Sequence, residues 1–252
     1  MRVIAHGKTD RGLVRKENED AFCIEEDLGL LAIADGMGGH ASGEVASKMA
    51  IEILKESLEK EGQPLPGRLS SGVKLANRTI YEAAQSQSQL NGMGTTLTAL
   101  QLNGNRLSIA HVGDSRAYLI RGGVIEQITD DHTIVSEQVA RGMMTREEAA
   151  RSDMRNILSR ALGISSEVDV EELTVSEGDQ FVLCSDGLSE LISEDEILAE
   201  VQSTKRADLA CNELVNLANQ RGGNDNITVI VVHLRGENLF SRLLKILGLL
   251  RG

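Results

Sequence analysis

Short apolar runs broken by Gly, Asn and Asp recur along the chain and are typical of β-strands. The pairs Asn103-Gly104 and Gly122-Gly123 each separate two such runs, as the turns of β-hairpins do. Links this short force neighbouring strands to be antiparallel. We therefore predict antiparallel sheets built from strands at residues 3–6, 21–25, 30–34, 96–102, 107–112, 117–120, 124–128, 168–173, 181–184 and 227–233.

A helical spacing of apolar residues replaces the strand pattern in four longer stretches. In residues 42–60, for example, Val45, Met49 and Ile53 recur at intervals of four. Helices that cover the outer faces of sheets make a layered α+β sandwich. We expect such a fold, with these helices at residues 42–60, 69–87, 194–201 and 207–219.

Two segments depart from this plan. Residues 130–163 are polar and charged, with short helical patterns at 135–141 and 145–151, and form either an excursion beside a functional site or a surface insert without a role. Residues 237–252 predict an amphipathic helix that packs on its own domain, with a membrane surface or a partner protein as the alternatives. We expect one domain over residues 1–236, followed by this tail.

Charge and cysteine content limit the classes of function and the cellular compartments to be expected. The chain has 252 residues and a formal net charge of −12, which disfavours nucleic-acid binding because that needs basic residues. Its three cysteines have no CxxC spacing and lie in apolar runs, as expected of buried thiols in a reducing compartment. The first residues lack the apolar run of a signal peptide. A cytoplasmic protein is expected.

Acidic residues stand beside the predicted strands. A single Asp at the end of a strand is usually a turn residue. Repeated carboxylates so close to core strands are unfavourable unless they are paired or bind a metal. Oxygen-only ligand sets suit Mg²⁺ or Mn²⁺. The acids placed in this way are Asp20, Asp35, Asp114, Asp186 and Asp225.

The motifs around these acids resemble the PPM family of metal-dependent protein phosphatases, also called protein phosphatase 2C. They occur in the family's order and cover most of the chain, and the compact length resembles the bacterial members. The matching stretches are TDRGLVRKENED (9–20), ADGMGGH (34–40), GTTLT (94–98), AHVGDSRAY (110–118), LCSDGL (183–188) and NDNIT (224–228). The resemblance implies a four-layer α-β-β-α sandwich of two antiparallel sheets, with a two-metal site at one end.

The resemblance also implies a role for each acid. Asp35 would bridge two Mn²⁺ or Mg²⁺ ions, helped by the carbonyl of Gly36. Asp186 and Asp225 would complete the first site, and Asp20 would hold the second through water. A weaker third site would use Asp114 with Asp186, and residues 130–163 match the family's mobile flap.

Two further residues would act on the substrate. Arg15 would grip the phosphoryl oxygens with its planar guanidinium. His40 would protonate the leaving alkoxide as a general acid. The implied activity is hydrolysis of phosphoserine and phosphothreonine in proteins by a water molecule that two metal ions activate, without a covalent phosphoenzyme.

Other functions and partners remain open from the sequence. The same fold without turnover would be a pseudophosphatase that binds phosphoproteins, and a hydrolase of small phosphate esters would use the same centre. Phosphorylated proteins are the implied partners, with a bacterial Ser/Thr kinase and its targets expected by analogy. We expect a monomer with a role in signalling.

Overall fold

The computed structural model describes residues 1–38, 42–60, 65–165 and 167–236. His40 and the predicted tail helix at residues 237–252 lie outside these ranges. The described strands are β1 Arg2–Asp10, β2 Asp20–Glu25, β3 Leu30–Met37, β4 Gly94–Thr95, β5 Leu97–Asn103, β6 Arg106–Val112, β7 Arg116–Arg121, β8 Val124–Gln127, β9 Asp169–Thr174, β10 Gln180–Cys184 and β11 Ile227–Arg235.

The strands form two sheets whose pairs all run antiparallel. Sheet A has the order β1-β11-β10-β7-β8, and sheet B has the order β2-β3-β5-β6-β9 with the short β4 beside β3. In sheet B, Asp20 lies directly opposite Asp35 across the β2–β3 pair. Two acids that are separated along the chain therefore lie side by side at one end of this sheet.

Helices cover the outer face of each sheet, and their bounds follow the apolar periodicity. Large buried side chains from both sheets, such as Ile33, Leu100, Phe181 and Ile230, fill the layer between them. The predicted four-layer α+β sandwich is therefore confirmed. The helices are α1 Ser42–Glu59, α2 Leu65–Ser86, α3 Ile134–Ala140, α4 Arg146–Ala150, α5 Asp186–Ser189, α6 Glu194–Ser203 and α7 Ala207–Gln220, with α1 and α2 packed on sheet B and α5, α6 and α7 on sheet A.

The turns show why the hairpins close where they do. Gly122 and Gly123 both have positive φ, 59° and 85°, and together form the two-residue link between β7 and β8. The other hairpin is shifted by one residue from the prediction: Asn103 pairs with Arg106, so Gly104 and Asn105 form the turn. Gly104, with a φ of 62°, supplies the left-handed conformation.

All ten predicted strands and six predicted helices are present in the described chain, most with slightly longer bounds. β4 was missed because two residues carry no periodicity. The four-residue helix α5 was missed because Ser185-Asp186-Gly187 has the composition of a turn.

An isolated bridge between Thr95 and Leu162 joins residues 130–163 to the sandwich. A second bridge, between Thr133 and Leu158, pairs the two ends of the segment with each other. The segment holds α3 and α4, as its short helical patterns predicted. In the described part of the chain, no helix is both long and apolar enough to cross a bilayer.

Candidate active site

The five predicted aspartates stand at the end of the sandwich where both sheets stop. Asp20 begins β2, and its partner Asp35 lies near the end of β3. Asp186 begins α5 directly after β10, and Asp225 comes just before β11. Asp114 lies in the tight link between β6 and β7. The sequence placed these residues at strand ends, and the two antiparallel sheets bring those ends together.

Burial and neighbouring negative charge both disfavour the ionised form of the aspartates in this cluster. Burial raises the pKa of Asp35 well above its usual value, and the charges of Asp20, Asp186, Asp114 and Asp225 raise it further. Asp186 behaves in the same way, with burial first and the charge of Asp114 next. Burial likewise raises the pKa of Asp20 to about 6 and that of Asp114 to about 7. A bound cation would relieve this repulsion.

Asp20 is held by hydroxyl groups from the other sheet. Ser185 Oγ and Thr228 Oγ1 both donate to Asp20 Oδ2, at 2.9 and 2.6 Å. The second oxygen, Asp20 Oδ1, is buried and has no hydrogen-bond partner, and the same is true of Asp186 Oδ1. Buried carboxylate oxygens without partners are costly, so these two atoms are available ligands.

The carboxylates do not by themselves form a finished ligand cage. Within the described ranges, no three His, Cys, Asp or Glu side chains gather in an arrangement that could hold an ion as it stands. Two of the carboxylate oxygens already have partners: Asp20 Oδ2 accepts from Ser185 and Thr228, and Asp225 Oδ2 accepts from Arg15.

The backbone around Asp35 is fixed closely. Thr96 Oγ1 accepts from the N–H of Asp35, and the carbonyl of Asp35 accepts from Thr96 N–H and Thr95 Oγ1, each at 2.9 Å. The next residue, Gly36, has no room for a side chain, because a β-carbon there would lie 2.1 Å from the carbonyl oxygen of Gly43. Glycine is therefore required at position 36.

Arg15 lies on the rim of the carboxylate cluster. It sits in the loop between β1 and β2, and its Nη2 donates to Asp225 Oδ2 at 2.5 Å. Its side chain is 54% exposed, so the guanidinium is open to solvent beside the buried and half-buried acids. This position, one cation at the mouth of an anionic site, suits a group that binds phosphate.

The side chain of Asn226 holds the Arg15 loop. Its Nδ2 donates to the carbonyls of Arg11 and Glu17, at 3.0 and 2.9 Å, and its Oδ1 accepts from the N–H of Glu19 at 2.8 Å. In the structure it ties one loop to another, and no signal in the sequence reveals this because the partners are 207 to 215 residues apart.

Ser185 and Thr228 are site residues that the sequence interpretation passed over. Both lie inside the quoted motifs: Ser185 stands between β10 and Asp186, and Thr228 stands between Ile227 and Val229 near the start of β11. A hydroxyl in such a place needs a buried partner, and that signal could have identified them.

Three polar residues near the site have structural partners. Arg116 forms a bidentate pair with Asp131 and so braces the start of residues 130–163. His111 is buried between Thr98 Oγ1 and the carbonyl of Asp130. His132 accepts from the N–H of Gly113 and contacts Asp169 at 2.9 Å.

The predicted general acid is not among these residues. His40 lies outside the described ranges, so its role stays a prediction. The structure places the other seven predicted site residues, Arg15, Asp20, Asp35, Gly36, Asp114, Asp186 and Asp225, around one end of the sandwich.

Comparison with known proteins gives the family. The family model described as protein phosphatase 2C matches residues 12–228. The serine/threonine protein phosphatase PstP of Mycobacterium tuberculosis is 44% identical over 226 residues, which are 89% of this chain and 43% of PstP. The serine/threonine phosphatase stp of Listeria monocytogenes is 37% identical over 90% of this chain and 94% of its own. The chain thus spans less than half the length of PstP.

The fold is shared as well. A crystal structure of the catalytic domain of PstP in complex with 2 manganese ions superposes with a TM-score of 0.84 and 40% identity, over 93% of this chain and 99% of that one. The resemblance read from the motifs is confirmed. This chain belongs to the protein phosphatase 2C family.

Proposed function

We propose that the protein is a metal-dependent phosphatase that hydrolyses phosphoserine and phosphothreonine in proteins. The observation that carries this proposal is the convergence of five aspartates on one end of the sandwich, with buried oxygens of Asp20 and Asp186 that lack partners. The exposed Arg15 stands at the edge of that cluster. Relatives named as serine/threonine phosphatases support the same activity.

The donor set fits two divalent cations of the Mn²⁺ or Mg²⁺ type. All the candidate ligands are oxygen atoms, which hard cations prefer. Asp35, helped by the carbonyl of Gly36, would hold both ions, Asp186 and Asp225 would hold the first, and Asp20 would hold the second. Asp114 with Asp186 would form a weaker third site. The two manganese ions bound by the PstP catalytic domain support this assignment.

Bound cations would supply Lewis-acid stabilisation and a water molecule of lowered pKa close to phosphorus. The chain's own residues then bind and orient. The guanidinium of Arg15 would donate to two phosphoryl oxygens at once through a planar pair of N–H groups, a geometry that a lysine does not have. The Asn226 hydrogen bonds hold the Arg15 loop in place before substrate arrives, so little ordering is left for the reaction itself.

Hydroxyl groups keep the acids in position. Ser185 and Thr228 hold Asp20 Oδ2, which leaves Asp20 Oδ1 aimed away from them and free to accept. Thr96 fixes the backbone of Asp35. These donors favour the ionised form of Asp20, and so they oppose the effect of burial.

His40 would donate a proton to the leaving serine or threonine oxygen. An alkoxide is a poor leaving group, whereas the phenolate of an aryl phosphate barely needs a proton. We therefore expect His40→Ala to slow hydrolysis of a phosphothreonine peptide more than hydrolysis of an aryl phosphate. Equal losses on both substrates would rule out the general-acid role.

Asp35→Asn tests the activity as a whole. We expect wild-type protein with Mn²⁺ to hydrolyse both p-nitrophenyl phosphate and a phosphothreonine peptide, and we expect chelator or Asp35→Asn to abolish both reactions. Turnover that survives either treatment would overturn the metal-dependent mechanism. Binding of the peptide without turnover under any condition would favour the pseudophosphatase. Turnover of the aryl phosphate alone would favour a hydrolase of small phosphate esters.

The proposal extends to the substrates, the compartment and the oligomeric state of the enzyme. Phosphorylated proteins, among them a Ser/Thr kinase and its targets, are the expected substrates in a signalling role. Cys23, Cys184 and Cys211 are all unpaired, which supports a reducing, cytoplasmic location. We expect a monomer. The flap role of residues 130–163, the domain boundary at residue 236 and the tail helix stay predictions.

A further inference from the structure

Two neighbouring apolar side chains next to Arg15 are unusually exposed. Leu13 is 67% exposed and Val14 is 65% exposed, whereas most large apolar side chains of the described chain are buried. Single exposed apolar residues are ordinary and need no explanation. Two in succession, one residue before a proposed phosphate ligand, form a small apolar step at the mouth of the site.

The loop that carries this step is tied down at its backbone. The N–H groups of Leu13 and Val14 both donate to the carbonyl of Gly223, at 2.8 and 3.3 Å. Gly12 has a φ of 75°, and a β-carbon there would lie 2.2 Å from the carbonyl oxygen of Asp225. Asn226 adds two donors to the same loop. Leu13 and Val14 are therefore presented to solvent by an ordered backbone.

An ordered apolar surface favours binding, because little conformational entropy is lost when a partner covers it. The surroundings make this step distinct. Arg11, Arg15 and Lys16 are charged and exposed in the same loop, and the acids of the site lie behind it. Leu13 and Val14 are thus an exposed apolar surface directly beside Arg15.

The distance along an extended peptide fixes which substrate residue could reach the step. Successive residues of an extended peptide advance by about 3.3–3.6 Å. If Arg15 holds the phosphate, a side chain one or two positions from the phosphorylated residue can therefore reach Leu13 and Val14, which directly precede Arg15. Its natural contact with Leu13 and Val14 is apolar, because an apolar side chain that covers them removes apolar surface from water.

We propose that Leu13 and Val14 select phosphoprotein substrates that carry a large apolar residue one or two positions from the phosphorylated Ser or Thr. This inference rests on the proposed function, because it assumes that the phosphate binds at Arg15. The occupant is the flanking segment of the substrate itself, and the contact sets which phosphosites are hydrolysed fastest.

The test compares phosphothreonine peptides of one sequence that differ only in carrying Leu or Ser at one flanking position, with each of the four nearest positions varied in turn. With Mn²⁺, we expect the wild-type kcat/KM to be about tenfold higher for Leu than for Ser at one or two of these positions. The double variant Leu13→Ser/Val14→Ser should reduce that ratio to near one. Val14→Ser alone should reduce it in part, and it avoids the packing of Leu13 on Gly223.

Val124→Ser is the matched control. Val124 is 66% exposed at the start of β8, outside the Arg15 loop, so its substitution should leave the Leu-to-Ser ratio at the wild-type value. Equal losses on both peptides in the Leu13/Val14 variants would indicate a displaced loop and overturn the inference. So would a wild-type ratio near one at every position. The proposed function is checked separately, because hydrolysis of p-nitrophenyl phosphate by the wild-type protein does not involve a flanking residue.

Discussion

Arg15 donates from Nη2 to Oδ2 of Asp225 at 2.5 Å, and so joins the proposed phosphate ligand to a proposed metal ligand. Both side chains are partly exposed, 54% for Arg15 and 30% for Asp225. Ion pairs exposed to this degree contribute little to stability. The guanidinium can therefore exchange its contact with Asp225 for a phosphate at small free-energy cost.

Replacing Arg15 should weaken catalysis without unfolding the protein. We expect Arg15→Ala to lower kcat/KM for a phosphothreonine peptide by about 10- to 100-fold, the equivalent of one or two charge-assisted hydrogen bonds. Arg15→Lys should recover only a small part, since a lysine cannot form the planar double contact. Steady-state kinetics with Mn²⁺ measure both effects.

Lys16→Ala is the control for this prediction, because it removes a neighbouring exposed cation from the same loop. We expect its kcat/KM to stay within about twofold of wild type, since surface charges away from a contact have small effects. If Lys16→Ala and Arg15→Ala lost the same activity, the contribution would be general charge attraction rather than phosphate binding by Arg15.

Asn226 should act on catalysis through Arg15. Asn226→Asp keeps the acceptor for Glu19 N–H but removes both donors to the carbonyls of Arg11 and Glu17. The freed loop should lower kcat/KM by about tenfold, in line with two lost hydrogen bonds. In an Arg15→Ala background the same substitution should have little effect, because residues that act as a unit are not additive.

A double-mutant cycle of Asn226→Asp with Arg15→Ala measures this coupling. If the losses in kcat/KM of the two single variants simply add in the double variant, Asn226 does not act through Arg15. A contribution of Asn226 to stability alone would be measured by thermal unfolding. Asn105→Asp, in the exposed turn between β5 and β6, provides the control for an added negative charge.

The sequence predicts the layered fold well because the signals are local. Apolar runs bounded by turn residues define the strands, and the glycine pair at 122–123 fixes a hairpin. The acids were also found locally, since each follows or precedes its own strand. The acids converge because the strand register sets Asp20 opposite Asp35. From the sequence, only the family resemblance implied that they meet in one site.

The contacts that organise the site could not be derived in this way. Ser185 reaches Asp20 across 165 residues, and Thr228 reaches it across 208. Such contacts follow from the packing of sheet A on sheet B, and the periodicity of apolar residues along the chain does not predict them. The turn composition around Asp186 likewise concealed α5, because one helical turn is too short to show a repeat.

The stability of the cation-free protein should depend on the ionisation of Asp114. Burial, and then the charge of Asp131, raises its pKa to about 7, against about 3.9 in an unfolded chain. A raised pKa means that the contribution to stability is complete below about pH 4 and is lost as the pH rises through about 7. Asp114→Asn has no such titration.

In chelator, the free energy of unfolding of Asp114→Asn should therefore rise relative to wild type between pH 4 and 7, on the order of 2 kcal/mol. Denaturant titrations at a series of pH values measure the difference. Curves that stay parallel across this range would contradict the raised pKa. With Mn²⁺ the difference should shrink, since a cation stabilises the ionised carboxylate.

Asp179, which lies away from the site, should stabilise the protein at neutral pH and lose that effect in acid. Its side chain is only 3% exposed and accepts from Arg121 Nε, Arg121 Nη2 and the N–H of Ser176, at 2.8, 2.7 and 2.7 Å. Burial raises its pKa, but these hydrogen bonds outweigh burial and leave the pKa below its usual value. The stabilisation is therefore present above about pH 4 and is lost as the pH falls through the lowered pKa.

We expect Asp179→Asn to reduce the free energy of unfolding by about 1–2 kcal/mol at pH 7, and by much less near pH 2, while kcat/KM at 25 °C stays unchanged. Asp208→Asn removes the same kind of arginine pair, with Arg206, from an exposed position and should have no measurable effect. Urea unfolding of both variants at the two pH values decides the matter. If Asp179→Asn lost as much free energy of unfolding at pH 2 as at pH 7, the ionised carboxylate would not be the source of the stabilisation. The packing of the side chain between the end of β7 and the start of β10 would then account for it.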